Sequence, residues 1–231
     1  YITRNHYSIQ DCIKQANFVH IPRGVETKKI DTIIKKNDLQ NIERNYYRLC
    51  YTNAYETGLL PIIQHLYPEL KRLQPTIELH LYGAIREGTN PQLTQMLQRY
   101  IPQEGIVDHG ICDFETIIRE KHTSGFHVNF IDNSKTDSVA VKESIYCECM
   151  PIISNKDCFK ELVGIHFDLH TAEVESYKKI AHSIHRILLK MEQDKQTVYD
   201  LQHKICSVDN KESIPSIHTT LTKWDSVLYK K

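Results

Sequence analysis

Glycine is scarce in this sequence, and the usual phosphate-binding motifs are missing with it. The 231 residues include eight glycines, about half of the roughly 7% found in average globular proteins. Neither G-x-G-x-x-G nor G-x-x-x-x-G-K-S/T occurs, which excludes the two commonest nucleotide-binding fingerprints. Phosphate binding itself stays open, because strand-end loops and helix amino termini bind phosphate through geometry and dipole alone.

A charge excess and a long hydrophobic run are missing as well. Basic and acidic residues number 29 each, so no long-range field draws the chain to nucleic acid or to an anionic membrane. Apolar stretches such as 145–153 are interrupted by Cys, Glu and Pro, and they are far shorter than the ~20 residues that span a bilayer. We expect no nucleic-acid partner and no membrane span. Because the sequence begins at Tyr1 without a signal pattern, we also expect it to be a piece of a longer chain.

Cysteine pairs with disulfide or zinc spacing are absent too. The seven cysteines form an odd set without a C-x-x-C pair, unlike a disulfide framework or a zinc ribbon. We therefore expect reduced thiols in a cytoplasmic protein. Cys147 and Cys149 are interpreted as small residues at the end of a buried helix, since no base partners them.

Histidine, by contrast, is frequent, with 13 residues. The pairs His166/His170 and His182/His185 have spacings that can place two imidazoles on one helical face. No carboxylate or thiol repeats these spacings, so we predict no metal site. No cofactor is expected either.

Strand-length apolar runs alternate with helix-length amphipathic segments along most of the chain. This alternation is typical of β-α-β units and predicts an α/β fold, with a Rossmann-like parallel sheet of five or six strands and helices on both faces. The predicted strands are Phe18 to Ile21, Arg48 to Thr52, Thr76 to Tyr82, Gly105 to His109, Phe126 to Ile131, Pro151 to Ser154 and Gly164 to Phe167.

Three helices are predicted between these strands. Apolar residues from Leu59 to Leu73 recur at helical spacing and precede Pro75, so this helix should end near Gln74. A second helix contains Leu93 to Tyr100. A third runs from about Thr136 to Cys147 and begins with side chains that can cap its free amides.

The last part of the chain has a purely helical pattern. It begins after Phe167 and ends in a segment that contains Trp224, which predicts a carboxyl-terminal helical extension. The predicted organisation is a linker with a first strand-helix segment over residues 1–44, followed by a Rossmann-like domain over residues 45–231.

Candidate binding residues follow from this fold, because ligands of open parallel sheets bind at the carboxyl ends of the strands. The segments at those ends are 53–56, 82–84, 109–110 and 132–138. The candidates in the first three segments are Asn53, Tyr55, Tyr82, Gly83, His109 and Gly110. For each of them the alternative is a role in turn formation or packing.

Several segments resemble the second Rossmann domain of GT-B glycosyltransferases. Phe18-Val-His-Ile-Pro-Arg-Gly-Val25 is similar to the segment that leads into that domain. Tyr51-Thr-Asn-Ala-Tyr-Glu-Thr-Gly-Leu-Leu60 and Ile77-Glu-Leu-His-Leu-Tyr-Gly83 are similar to its first strand, helix and second strand. Ser138-Val-Ala-Val-Lys-Glu-Ser144, followed by Cys149-Met-Pro-Ile-Ile-Ser154, resembles the helix and strand that carry the second glutamate of an E-x7-E motif.

The resemblance extends over about residues 17–228, and the order of the motifs supplies most of its weight. Ser124-Gly-Phe-His and Gly164-Ile-His-Phe167 also resemble segments of glycosyltransferases encoded by giant DNA viruses. The resemblance implies the carboxyl-terminal, nucleotide-sugar-binding half of a GT-B enzyme. It further implies that Glu143 binds the donor ribose, and that the helix start at Thr136, Asp137 and Ser138 offers amides and dipole to phosphate.

Two positions depart from the family pattern. Lys135 stands eight residues before Glu143, where the first glutamate of E-x7-E belongs, and Thr57 stands where a phosphate-binding basic residue is usual. A lysine does not accept hydrogen bonds from hydroxyls, but it can neutralise a diphosphate as a point charge. Lys135 is therefore a candidate phosphate contact.

The implied function is transfer of a sugar from a nucleoside diphosphate to an acceptor glycan or protein held by another domain. By family likeness the reaction is metal-independent and retains the anomeric configuration. Two alternatives stay open: a non-catalytic binding domain, suggested by the two departures, and a nucleotide-sugar epimerase of the same architecture.

Overall fold

The computed structural model describes residues 21–130, 138–155, 159–169 and 174–228, and its centre is a six-stranded sheet. The strands are β1 (Asn45–Tyr51), β2 (Glu78–Leu81), β3 (Ile106–Asp108), β4 (Ser124–Asn129), β5 (Met150–Ser154) and β6 (Ile165–Phe167). Their order is β3-β2-β1-β4-β5-β6, and every neighbouring pair is parallel. The predicted Rossmann-like parallel sheet is confirmed. The strand predicted from Phe18 lies outside the described residues apart from Ile21, which is in no strand.

Helices flank the sheet and close the chain. In chain order they are α1 (Thr27–Lys36), α2 in three continuous pieces (Leu59–Pro61, π-helical Ile62–Leu66 and Tyr67–Leu73), α3 (Pro91–Tyr100), α4 (Phe114–Thr123), α5 (Val139–Tyr146), α6 (Val174–Gln193), α7 (Lys195–Ile205), α8 (Val208–Glu212) and α9 (Ile217–Leu228).

Two hydrophobic clusters lie on the two faces of the sheet. One packs Leu49, Phe126 and Ile152 against α2, α6 and α7. The other packs Ile153 against α1, α4 and α5, through side chains such as Val141. Adjacent residues of a strand point to opposite faces, so Ile152 and Ile153 belong to different clusters. This arrangement leaves the two ends of the strands, and not the faces, as the places where a ligand can approach.

The predicted helix boundaries agree with the structure to within a few residues. The last piece of α2 ends at Leu73, and Gln74 is its carboxyl cap, as Pro75 requires. Ser138 caps α5 by accepting a hydrogen bond from the Val141 amide, so this helix begins two to three residues after the predicted start. A π-helical turn inside α2 was not predicted.

The carboxyl-terminal extension is helical as predicted, and Trp224 lies on its last helix, α9. A parallel bridge between Val25 and Ser216 joins the start of this helix to the start of the described chain. Helix α1 packs on α4, so part of the segment 1–44 contributes to the second hydrophobic cluster. The division at residue 45 stays a prediction. Among the described helices, none combines the length and the apolar character needed to cross a bilayer.

Candidate functional site

The strand order puts the topological switch point of the sheet between the carboxyl ends of β1 and β4. All strands are parallel, but their order reverses there: β2 and β3 extend to one side of β1, whereas β4, β5 and β6 extend to the other. Such a switch point is where open α/β sheets bind their ligands, because the loops that follow the two strands leave in opposite directions. Residues Thr52 and Asn53 follow β1 at this point, and Asn129 is the last residue of β4.

The loop after β1 is held by its own hydrogen bonds. The Tyr51 hydroxyl lies 3.1 Å from the Ala54 carbonyl oxygen and 3.0 Å from that of Thr57. The Tyr55 amide donates to the Ala84 carbonyl. Thr57 is thus a turn residue in this loop, and the loop presents Asn53 and Tyr55 at the end of the sheet.

A cavity of about 390 Å³ opens beside this loop, at the ends of β1, β2 and β3. Three of the predicted residues, Tyr55, Gly83 and Gly110, line it together with Asp108. The Tyr55 hydroxyl donates to the Asp108 carboxylate, which also accepts from the Gly110 amide at 3.0 Å. Burial and this carboxylate raise the pKa of Tyr55 above its usual range, so the hydroxyl keeps its proton.

Both glycines of this cavity are required by the backbone. Gly110 has φ +67, a conformation that side chains with a Cβ rarely adopt. At Gly83 an added Cβ would collide with the backbone oxygen of Asn53. The Gly83 amide donates to the Gly110 carbonyl at 2.8 Å, which ties the loops after β2 and β3 together.

Tyr82 and His109 form a stacked pair on the opposite side of the same loops. Their ring centroids are 4.4 Å apart with an interplanar angle of 4°. His109 Nε2 lies 3.0 Å from Nδ1 of His80, whose Nε2 lies 3.2 Å from a Glu78 carboxylate oxygen. Burial lowers the pKa of His80, and the nearby Glu120 carboxylate opposes this shift only in part. Tyr82 is buried and packs against Cys50 and Cys149. Its ring is therefore part of the core beneath the loops and does not line the cavity.

A buried hydrogen-bond chain connects the two strands at the switch point. His127 in β4 is fully buried, with Nε2 3.2 Å from the Thr52 hydroxyl and Nδ1 2.7 Å from the Ser144 hydroxyl. Ser144 donates to the Ala140 carbonyl at 2.9 Å, which leaves its oxygen to accept from Nδ1–H. The Nε2 atom of His127 then accepts from the Thr52 hydroxyl.

Three other polar atoms near the switch point have no partner. Within the described ranges, Asn53 Nδ2, Asn129 Oδ1 and Ser154 Oγ are buried without a hydrogen bond. They belong to the ends of the neighbouring strands β1, β4 and β5. A buried polar atom without a partner costs about 1–3 kcal/mol. Three such atoms lie at the carboxyl ends of adjacent strands, where a ligand can supply the missing hydrogen-bond partners.

Glu143, the predicted ribose-binding residue, forms an ion pair between helices α5 and α4. Its Oε2 lies 2.7 Å from Nζ of Lys121 in α4, whose side chain is fully buried and also donates to the Ala140 carbonyl at 2.9 Å. The Glu143 side chain is 14% exposed. Its other carboxylate oxygen, Oε1, makes no hydrogen bond to any described residue. This oxygen can therefore accept a hydrogen bond from a ligand.

The remaining predicted residues divide into two groups. Ser138 lies at the switch point, where its hydroxyl oxygen accepts a hydrogen bond from the side-chain nitrogen Nδ2 of Asn129 at 3.4 Å. Lys135, Thr136 and Asp137 lie outside the described residues, so their roles stay predictions. Among the described residues, no three His, Cys, Asp or Glu side chains lie close enough together to hold a metal ion.

The cysteine interpretation is supported. Cys147 and Cys149 are free and fully buried around the end of α5, and burial raises the pKa of Cys147 to about 12. A thiol with so high a pKa is a poor nucleophile.

Several solved structures with a similar fold are glycosyltransferases. Anabaena HepE in complex with UDP and glucose is similar to this chain with a TM-score of 0.60 and 10% identity over 87% of this chain and 52% of that one. A glycosyltransferase from Rickettsia africae has a TM-score of 0.62 and 13% identity, covering 96% and 62% of the two chains. The pneumococcal O-GlcNAc transferase GtfA in complex with UDP and GlcNAc has a TM-score of 0.60 and 11% identity, covering 97% and 43%.

The chain has a GT-B-like fold. At these identities the likeness shows the fold alone, and the chain spans about half the length of the structures that it matches. No protein-family model matches the chain, and no curated protein matches it in sequence.

Several residues of the site were missed by the sequence reasoning. Lys121, His127 and Asn129 were not singled out, although His127 and Asn129 alternate with Phe126 and Val128 in a predicted strand. Polar residues at every second position of a strand that is buried on both faces need buried partners or a ligand. That pattern was the available signal.

Proposed function

We propose that this chain is the donor-binding domain of a GT-B glycosyltransferase and that it binds a nucleoside-diphosphate sugar at the carboxyl ends of β1 and β4. The observation that carries the proposal is the switch point itself, around which Asn53 Nδ2, Asn129 Oδ1 and Ser154 Oγ find no partner among the described residues. UDP is the nucleotide we propose, because HepE and GtfA, which share the fold, were solved with UDP.

The proposed reaction transfers the sugar with retention to an acceptor held by another domain, without a metal. In this domain catalysis rests on orienting the donor and on stabilising the charge of the departing diphosphate. Lys135 supplies a positive charge in this proposal, while Arg86 near the same end of the sheet is already paired with Glu56 at 3.2 Å. Glu143 accepts from the ribose through its free carboxylate oxygen.

A calorimetric titration with UDP, UDP-glucose, UDP-N-acetylglucosamine and GDP tests donor binding. We expect at least one UDP compound to bind with a Kd below about 1 mM, which corresponds to roughly 4 kcal/mol. Release of UDP from the bound sugar nucleotide, measured with and without acceptor, then separates transfer from epimerisation. If none of the nucleotides binds at millimolar concentration, the proposal fails.

The role of Glu143 is tested by two variants that break the same ion pair. Glu143→Gln removes the carboxylate and should weaken UDP and uridine alike by about 1–3 kcal/mol. Lys121→Met is the matched control, since it breaks the Lys121–Glu143 pair and keeps the carboxylate. Equal losses in both variants would assign Glu143 to the packing of α4 on α5 instead of the ribose.

The role of Lys135 has a different signature. Lys135→Ala should weaken UDP and spare uridine, and the loss should shrink as salt rises, because the contribution is a screened charge near phosphate. A loss that is equal for UDP and uridine, or independent of salt, contradicts this role.

The ion pair of Glu143 also favours a second function, a non-catalytic domain that keeps the fold for binding. In that case the carboxylate serves only Lys121, and the departures at Lys135 and Thr57 reflect a lost donor site. Unchanged UDP affinity in Glu143→Gln, within a factor of two, would put this function first.

A further inference from the structure

A chain of hydrogen-bonding side chains runs through β2 to the carboxyl end of β3, and it consists of Glu78, His80 and His109. His80 is 7% exposed. Its Nε2 lies 3.2 Å from a Glu78 carboxylate oxygen, and its Nδ1 lies 3.0 Å from Nε2 of His109. His109 is exposed and follows Asp108, the last residue of β3. The chain therefore ends at the edge of the sheet where the candidate binding residues lie.

The positions of the hydrogens follow from the Glu78 end of this chain. A carboxylate accepts hydrogen bonds and donates none, so His80 Nε2 carries a hydrogen and donates it to Glu78. Burial lowers the pKa of His80, so the ring is neutral at about pH 7 and its Nδ1 carries no hydrogen. This Nδ1 then accepts from His109, which must have its hydrogen on Nε2. In neutral His109 the other ring nitrogen, Nδ1, is left as a hydrogen-bond acceptor.

The other charged groups around His80 agree with this assignment. Glu120 of α4 is the second carboxylate near the ring, and its Oε1 lies 3.7 Å from His80 Nδ1, which is too far for a hydrogen bond. The same oxygen accepts from the Ser124 hydroxyl at 2.6 Å. Arg48 of β1 lies 3.6 Å from the Glu78 carboxylate and 3.7 Å from that of Glu120. A hydrogen on His80 Nδ1 would thus not reach Glu120, and it would leave Glu78 without its donor.

The His109 ring is held in one orientation by its neighbours. Tyr82 stacks on it with the ring centroids 4.4 Å apart, and the bond to His80 fixes the direction of Nε2. The Cys112 thiol lies 3.6 Å from the backbone carbonyl oxygen of His109 and does not bond to the ring. In the part of the chain that the structure describes, nothing forms a hydrogen bond with His109 Nδ1. This nitrogen is therefore open to a ligand.

We propose that Glu78 and His80 are positioning residues that hold His109 in the Nε2–H tautomer, and that His109 Nδ1 accepts a hydrogen bond from the nucleotide sugar. The partner on the ligand is an N–H or O–H group of the base, the ribose or the sugar, because the phosphates of a nucleoside-diphosphate sugar carry no hydrogen at neutral pH. The tautomer stands without a ligand, whereas the contact with the nucleotide sugar rests on the proposed donor-binding function. Without the chain, the hydrogen of neutral His109 would exchange between the two nitrogens, and Nδ1 would accept only part of the time.

Nitrogen-15 NMR of the histidine rings at about pH 7.5 tests the tautomer without a ligand. We expect the spectrum of His109, assigned with His109→Phe, to show a protonated Nε2 and an unprotonated Nδ1. His80→Phe and Glu78→Leu should each let a second tautomer of His109 appear, with its hydrogen on Nδ1. His182→Phe is the matched control, because His182 also lies beside a carboxylate, that of Glu69 at 3.1 Å, but on α6. It should leave the His109 signals unchanged.

Calorimetric titrations with uridine, UDP and UDP-glucose test the contact with the ligand. His109→Phe keeps a ring beside Tyr82 and removes the acceptor, so it should raise the Kd about three- to tenfold for the smallest ligand that carries the partner and for every larger one. UDP-glucose should also bind less tightly as the pH falls from about 7.5 to 5.5, because a proton on His109 Nδ1 ends its role as an acceptor. That dependence should become shallower in His109→Phe and stay unchanged in His182→Phe.

The outcomes separate this proposal from the donor-binding function. If His109 of the unmodified chain shows a hydrogen on Nδ1, or if His80→Phe and Glu78→Leu leave its tautomer unchanged, the positioning role is wrong even where UDP binds. If uridine, UDP and UDP-glucose all fail to bind, the donor-binding function and the ligand contact are both wrong, and NMR alone decides on the tautomer. A UDP-glucose affinity that rises in acid and depends on His109 would also overturn the proposal, because His109 would then bind phosphate as a cation.

Discussion

The two ends of the sheet differ in whether their buried polar groups have hydrogen-bond partners. At the amino end Arg44 donates to three backbone carbonyls, those of Lys121, Ser124 and Cys147, at 3.1, 2.5 and 2.9 Å. One side chain thus ties the ends of α4 and α5 to the start of β4. At the carboxyl end, Asn129 Oδ1 and Ser154 Oγ are buried without a partner in the described chain.

This difference assigns the amino end of the sheet to the stability of the fold and the carboxyl end to ligand binding. Satisfied polar groups at the amino end lower the free energy of the folded chain, whereas unsatisfied groups at the carboxyl end raise it unless a ligand supplies partners. Substitutions at the amino end should therefore cost stability. Removal of an unpartnered group at the carboxyl end gives up no hydrogen bond and should therefore not lower stability.

The largest effect is expected for Arg44→Met. The variant removes three charge-assisted hydrogen bonds and leaves the carbonyls with fewer partners, which should lower the free energy of unfolding by about 3–5 kcal/mol. Urea denaturation measures this loss. Arg72→Met is the control: Arg72 is 65% exposed and paired with Glu69, so its loss should stay below about 1 kcal/mol. Equal losses of unfolding free energy in the two variants would show that the Arg44 hydrogen bonds do not stabilise the amino end of the sheet.

A middle-sized effect is expected for His127, which lies in the same strand as Asn129 but has both ring nitrogens hydrogen-bonded. Burial, and then the charge of Lys121, holds the pKa of His127 well below its ordinary value. The unfolded chain takes up a proton below about pH 6.5 and the folded chain does not. Stability should therefore fall as the pH drops from 7 to 5, by up to ~1.4 kcal/mol per pH unit from this residue.

The variant His127→Asn should make that dependence shallower by the same amount, as urea denaturation at several pH values will show. His122, whose pKa burial lowers to about 4, acts in the same direction and remains in both proteins. Parallel curves for the two proteins would mean that His127 is protonated in the folded state.

The smallest effect is expected for Ser154→Ala, and its counterpart at the other end of the sheet is Ser124→Ala. Ser124 is buried and donates to a Glu120 carboxylate oxygen at 2.6 Å, so its loss should cost about 1–2 kcal/mol. Ser154 Oγ has no partner in the described ranges, so its removal gives up no hydrogen bond and should lower stability by less than about 0.5 kcal/mol, if at all. Thermal unfolding of the two variants compares the ends directly, and a larger cost for Ser154→Ala would reverse the comparison.

The fold was predictable because its signals are local. Apolar runs such as 150–154 and periodic segments such as 59–73 report strands and helices within a few residues of each other. Helix ends were predictable from capping and proline, with small errors such as the later start of α5 at Val139. The positions of Asn53, Gly83 and Gly110 at the carboxyl end followed from the strand assignment alone.

The partners of the site residues were less predictable. Glu143 could be named from the resemblance, but its ion pair with Lys121 joins two helices and no local pattern reports it. The same holds for His127, which bonds residues on two different elements. Such contacts depend on which strands are neighbours, and β1 pairs with β4 although Asn45 and Ser124 are 79 residues apart in the sequence.

 

In that register Asn45 pairs with Ser124 and Leu49 with Phe126, so residues 77 to 79 positions apart in the sequence lie side by side. Sequence separation of this size carries no periodic signal, because hydrophobic periodicity relates only residues within the same helix or strand. Only the assembled sheet shows that these residues are neighbours.

By itself the sequence determined the type and order of the elements, since hydrophobic periodicity, capping residues and prolines act over one or two turns of chain. The tertiary structure alone decided which polar groups are satisfied. Arg44 reaches three carbonyls because α4, β4 and α5 converge at the amino end. At the other end, Asn129 Oδ1 and Ser154 Oγ have no partner in the part of the chain that the structure describes. Burial and hydrogen bonding are properties of the packed sheet, and they exist only once distant segments have been brought together.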